Sequence, residues 1–132
     1  MRVALDTNVL LSAIGTRGLC ADLLRIVLRD HDLIVGKKVL AELRRNLAKK
    51  WRLPAEVVDE YDAFLRRQAA AIPDAAPVTL AKVDAADAQV LGDAVAGGAD
   101  VFVTGDRALL ALGRRAALAI VSPRQFWEQV HR

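Results

Sequence analysis

Apolar positions along the chain follow two rhythms that take turns. Unbroken apolar runs no longer than a strand alternate with longer stretches in which apolar residues return every three or four positions. The short runs are residues 3–5, 32–36, 101–103 and 118–121, with a weaker one at 78–80. Helical spacing follows Asp6 and recurs over residues 19–28, 37–51, 54–71, 84–96 and 107–112. Punctuation agrees with this division. Gly15-Thr16-Arg17-Gly18 interrupts the first helical stretch, Pro54 stands at a first helical position, and Pro73 and Pro77 bracket a loop. Gly97-Gly98 and Gly113 stop helices, while Ser122-Pro123 opens a last one carrying Phe126, Trp127 and Val130. Strands that are apolar throughout, separated by helices, predict an α/β fold: a parallel sheet covered by helices on both faces. No repeat, low-complexity tract or linker divides residues 1–132, so a single domain is expected.

Composition refines the picture. Hydrophobic residues make up 54% but aromatics only 5%, so the core should be aliphatic, and some of the apolar surplus suits a protein interface. Cys20 is the single cysteine and cannot form an internal disulfide; its neighbours Leu19, Leu23 and Leu24 mark it as core filling. Asp6 interrupts the N-terminal apolar stretch as a secretory signal would not, and no run approaches the roughly 18 residues of a membrane helix, so a soluble, cytoplasmic protein is expected. Nineteen Lys and Arg against 16 Asp and Glu give a net charge of +3, compatible with an anionic partner or with an ordinary soluble surface.

Four acids stand where chemistry could use them. Asp6 ends the first strand and begins a helix, which is the edge of an open α/β sheet where ligands bind and also a good helix cap. Asp106, after Thr104-Gly105 at the end of the 101–103 run, repeats that arrangement. Glu42 falls beside the apolar arc of Val39, Leu40, Leu43 and Leu47; helix arithmetic alone favours an exposed residue in ion pairs with Lys38 and Arg45. Asp84 and Asp87 read as a capping pair at a helix start, and Asp93, six residues beyond Asp87, as solvent-facing. His31 and His131 lack partners at metal-ligand spacing and receive no role. Carboxylates gathered within a few ångströms repel unless a cation neutralises them, and oxygen-only ligation suits Mg²⁺ or Mn²⁺.

Taken in order, Asp6-Thr7-Asn8-Val9-Leu10, Val39-Leu40-Ala41-Glu42-Leu43, Asp84-Ala85-Ala86-Asp87 and residues 99–107 resemble a PIN-domain ribonuclease, with the VapC-like toxin components as the nearest likeness. The resemblance implies a three-layer α/β/α Rossmann-like fold with roughly four to five parallel strands in the order 3-2-1-4-5, which sets the first strand beside the fourth. It also implies a site of Asp6, Glu42, Asp87 and Asp106, supported by Thr7, Asn8 and Thr104. Asp6 and Asp106 would be the main direct ligands of Mg²⁺ or Mn²⁺, Asp87 would complete or bridge the site, and Glu42 would act through a water. Relatives often carry a second acid two residues after the last Asp; here that residue is Ala108, which removes a fifth carboxylate.

The implied activity is endonucleolytic hydrolysis of RNA, leaving 5′-phosphate and 3′-hydroxyl ends. Partners implied by the likeness are a cognate antitoxin and a second copy of the chain. Lys38, Arg45, Lys49 and Arg107 are candidate phosphate contacts, or simply a solvated basic face. Trp51, in the cluster Lys49-Lys50-Trp51-Arg52, could stack on a base, although packing against the fourth helix is the plainer expectation. Two rivals use similar folds. A phosphatase of the haloacid-dehalogenase type wants an Asp where Asn8 stands, and a non-catalytic RNA-binding module would be expected to have lost one of the four acids.

Overall fold

The computed structural model describes residues 1–80, 83–115 and 118–132. In chain order the elements are β1 (Arg2–Leu5), α1 (Thr7–Gly15), α2 (Leu19–Asp30), β2 (Asp32–Ile34), α3 (Lys37–Lys49), α4 (Ala55–Gln68) and α5 (Ala85–Ala96). There follow β3 (Val101–Val103), α6 (Arg107–Leu110), β4 (Arg114–Arg115), β5 (Leu118–Val121) and α7 (Pro123–Val130). The strands form one sheet in the order β2-β1-β3-β5-β4. The first four are parallel; β4 pairs antiparallel with β5.

The α/β architecture and the adjacency of the first and 101–103 strands are as expected from the sequence. Val3 lies opposite both Leu33 and Val101, and Leu5 opposite Val103. Because the chain leaves β1 toward β2 and returns on its other side as β3, the gap beyond β1 and β3 is the sheet's switch point. The sheet core is aliphatic, with Val3, Leu5, Leu33, Ile34, Val101 and Val103 buried and Phe102 and Phe126 as fully buried aromatics. Helices flank the sheet, α1 packing on α2 and α3, and α3 on α4 and α5.

Several expectations are corrected. Residues 78–80 form no strand: residues 70–73 run beside β2 instead, with Ala70 N–H donating to Leu33, Ala71 and Pro73 carbonyls accepting from Val35 and Lys37, and a parallel bridge joining Ile34 to Ala71. Those bonds use the edge that a strand at 78–80 would have needed, and Val78 N–H goes to the Ala88 carbonyl of α5. Pro54 is the N-cap of α4 rather than its first helical residue. Trp51 is 38% exposed, and its indole lies over Gly15, where an added Cβ would sit 2.3 Å from the ring. Among the described residues no helix is long and apolar enough to cross a membrane.

Candidate active site at the carboxyl edge of the sheet

Two strand ends build the centre. β1 hands on to α1 through Asp6, whose N–H donates to the Val103 carbonyl at 2.9 Å, so the ladder holds Asp6 against the end of β3. Its side chain caps α1, Oδ1 accepting from Thr7 N–H at 2.8 Å, while Oδ2 accepts from the Thr104 hydroxyl at 2.6 Å. Thr104 is fully buried, and the same hydroxyl oxygen accepts from Asp106 N–H at 3.0 Å. One hydroxyl therefore couples the two strand-end acids, and its single proton is committed to Asp6.

Asp106 caps α6, with Oδ1 accepting from Ala108 and Leu109 N–H at 2.8 and 3.4 Å. The capping and site readings of these acids thus coexist. Asn8, on the first turn of α1, accepts a hydrogen bond from Gly105 N–H at 3.4 Å and ties α1 to the turn before Asp106.

Glu42 is half-buried on α3, and its Oε1 accepts from the Thr7 hydroxyl at 3.3 Å. The expectation of plain ion pairing with Lys38 and Arg45 is replaced by this contact. The two cations act at longer range, pulling the Glu42 pKa down, but burial outweighs them and leaves it raised. Asp87 sits on the first turn of α5, where Asp84 caps the helix by accepting from Asp87 N–H at 2.8 Å.

Electrostatics join the four acids. Burial, followed by the charges of Asp84, Asp106, Asp6 and Glu42, pushes Asp87 up to about 6. Burial also raises Asp6, against the lowering effect of the Thr104 and Thr7 hydrogen bonds, and Asp106 adds to the rise. Asp84 is a contributor that the sequence reading confined to capping. Its place one turn before Asp87 on the same helical side was the available signal.

Asp93 is the clearest correction. Far from facing solvent, it is 1% exposed and accepts from Ala75 N–H at 2.8 Å, Gln89 Nε2 at 3.1 Å and Lys38 N–H at 3.2 Å. It ties α5 to the preceding loop and to the start of α3, which carries Glu42. Of the candidate phosphate contacts, Lys38 is half-buried while Arg45, Lys49 and Arg107 are exposed, Arg107 directly after Asp106.

The donor set bears on metal binding. All four acids offer hard oxygen ligands, and Asp106 Oδ2, Glu42 Oε2 and both Asp87 oxygens accept no hydrogen bond among the described residues. Their mutual repulsion is the condition a divalent cation relieves. Among the described residues, no three His, Cys, Asp or Glu side chains form a ready-made metal cage. The residues fit a hard divalent cation in the kind of donor they offer.

Comparison with known proteins agrees with the fold. No curated protein matches the sequence. A chain of VapBC2 from Rickettsia felis, solved bound to a DNA fragment from their promoter, superposes with a TM-score of 0.63 at 17% identity, covering 92% of this chain and 98% of that one. A chain of FitAcB from Neisseria gonorrhoeae gives 0.62 at 22% identity with the same coverage. At such identity the likeness is one of fold. The sequence profile described as PIN domain matches residues 2–108, which span the sheet's switch point and all four acids, and on that match the chain belongs to the PIN domain family.

Proposed function

We propose that the chain is a metal-dependent endoribonuclease and the toxin component of a toxin–antitoxin pair. The observation that carries the first part is the convergence of Asp6 and Asp106 on Thr104 at the switch point, with Asp87 near enough to feel both and Glu42 near enough to feel Asp6. Family membership agrees with a nuclease. The toxin reading draws on the resemblance to VapC-like proteins and on the likeness of fold to VapBC2 and FitAcB.

Bound Mg²⁺ or Mn²⁺ would supply the Lewis acidity that a phosphodiester needs, favouring ionisation of water and neutralising charge on the phosphate. Asp6, Asp106 and Asp87 would hold the cation. Thr104 keeps Asp6 oriented and opposes the rise of its pKa, and Thr7 orients Glu42. Glu42, with its pKa raised by burial, is suited to take a proton from the attacking water. Arg107 and Lys38 flank these acids and would position the RNA backbone without reading its sequence.

An antitoxin and a second copy of the chain are the proposed protein partners. On α4, Val57, Glu60, Tyr61, Phe64 and Arg67 line an open cavity of about 560 Å³ with Phe64 37% exposed, a mainly apolar surface edged by one acid and one base that such a partner would cover.

The test is incubation of purified protein with total cellular RNA, with and without Mn²⁺, followed by mapping of the cut ends. Asp6→Asn and Asp106→Asn should each lower cleavage by about a hundredfold or more while leaving the fold intact, because Asn also caps a helix. Undiminished cleavage by either variant overturns the site assignment. Turnover of a phosphomonoester with no RNA cleavage favours the phosphatase.

A further inference from the structure

Beside the acids lies a pocket that the proposed chemistry does not use. It is about 290 Å³ and is lined by Asn8, Val9, Ser12, Cys20, Gly105 and Pro123. Asn8 and Gly105 set it beside the candidate catalytic edge, since one stands two residues after Asp6 and the other immediately before Asp106.

Two of its polar groups are unspent. Asn8 Oδ1 takes the Gly105 N–H, so the side-chain amino group Nδ2 is left with no partner among the described residues. The Ser12 hydroxyl likewise makes no hydrogen bond, although the Ser12 carbonyl accepts two from Thr16. The remaining walls, Val9, Cys20 and Pro123, are apolar. Apolar walls with a few polar groups are the usual make-up of a small-molecule site, and this volume lies just under the usual range of about 300–1,000 Å³. Unstacked RNA bases are recognised in this way, one edge hydrogen-bonded and the faces packed.

We infer that this pocket receives a single unstacked nucleobase adjoining the cleaved phosphate, read by the Asn8 amide and the Ser12 hydroxyl between Val9, Cys20 and Pro123. The inference rests on the ribonuclease reading and sharpens its substrate to RNA that is single-stranded at the cut. A base held here fixes the register of the strand over Asp6 and Asp106, so the pocket would set which nucleotide flanks the cleaved bond.

The test uses the full chain, isotopically labelled and free of divalent metal, titrated with each of the four 5′-ribonucleoside monophosphates and with ribose 5-phosphate. At least one nucleotide should shift the Asn8 side-chain amide and the Ser12 and Gly105 backbone amides, and ribose 5-phosphate should not. No shift from any nucleotide, or equal shifts from ribose 5-phosphate, overturns the assignment. Filling the pocket with Ser12→Met, or with Cys20→Met should the first variant lose its dispersed spectrum, should weaken nucleotide binding about tenfold. Unchanged binding by a folded variant overturns it too.

A second arm maps cuts in random-sequence RNA with Mn²⁺. Wild type should favour one base beside the cut, and the folded variant should lose that bias; an identical bias counts against the pocket. Wild type that binds nucleotides here but cuts no RNA overturns the ribonuclease reading, and the flanking-base role with it, separately from the base site.

Discussion

A carboxylate at 1% exposure persists only where donors replace water, and the three N–H groups around Asp93 do so. Asp93→Ala removes the acceptor and strands those donors, which should cost about 3 kcal/mol in urea denaturation. Activity at saturating RNA should fall less than stability, because Asp93 positions the start of α3 rather than touching substrate. Thr104 acts at the same scale. Thr104→Val removes the hydrogen bond that lowers the Asp6 pKa. Cleavage should drop about 10- to 100-fold, the usual loss for a group that orients a metal ligand, the role proposed for Asp6. The acid limb of the pH–rate profile should move to higher pH, a shift that a merely structural role for Thr104 would not produce. Only the family resemblance singles out Thr104 in the sequence, and its link to Asp6 depends on strands nearly a hundred positions apart.

Between elements, close approach decides more than propensity. α5 lies so near the loop before it that a Cβ at Gly92 would stand 2.2 Å from the Ala76 carbonyl oxygen. Backbone cannot give way as a flexible side chain can, so Gly92→Ala should destabilise by about 1–3 kcal/mol, read from thermal melts, despite the better helix propensity of Ala. Helix starts were legible from the sequence because caps are local: Asp6, Asp84, Asp106 and Ser122 all cap as their positions suggest. Ends and edges were less so. Residues 78–80 have the composition of a strand, but the β2 edge was already occupied by residues 70–73, and β4 owes its two residues to pairing with β5.

At the scale of the whole molecule, the acids oppose folding when ionised. Asp87, and with it Asp6 and Glu42, has a pKa raised in the folded protein. A carboxyl whose folded pKa is raised binds its proton more tightly folded than unfolded. The resulting stability is full below about 4, its unfolded pKa, and is lost as pH rises through about 6 for Asp87. Metal-free protein should therefore show, from this site, a falling Tm between pH 4.5 and 7.5. Asp87→Asn should flatten that fall, raising Tm relative to wild type at pH 7.5 and leaving it unchanged near pH 4; an unaltered pH dependence refutes the clustering of charge. Mn²⁺ at a hundredfold excess over its Kd should add about 2.7 kcal/mol at pH 7.5 and less at pH 4.5, where Asp87 carries a proton. The sequence by itself determined the succession of apolar strands and capped helices and the standing of Asp6 and Asp106 at strand ends, because periodicity and capping act within one or two turns of chain. The adjacency of β1 and β3 was already implied by the family resemblance, but tertiary structure alone decided that Thr104 joins their two acids, that Asp93 is buried and Trp51 lies over Gly15, and that Asn8, Ser12, Cys20 and Pro123 line one open pocket. Each of these depends on a partner distant in sequence, and the packing that brings the partners together leaves no periodic trace in either segment.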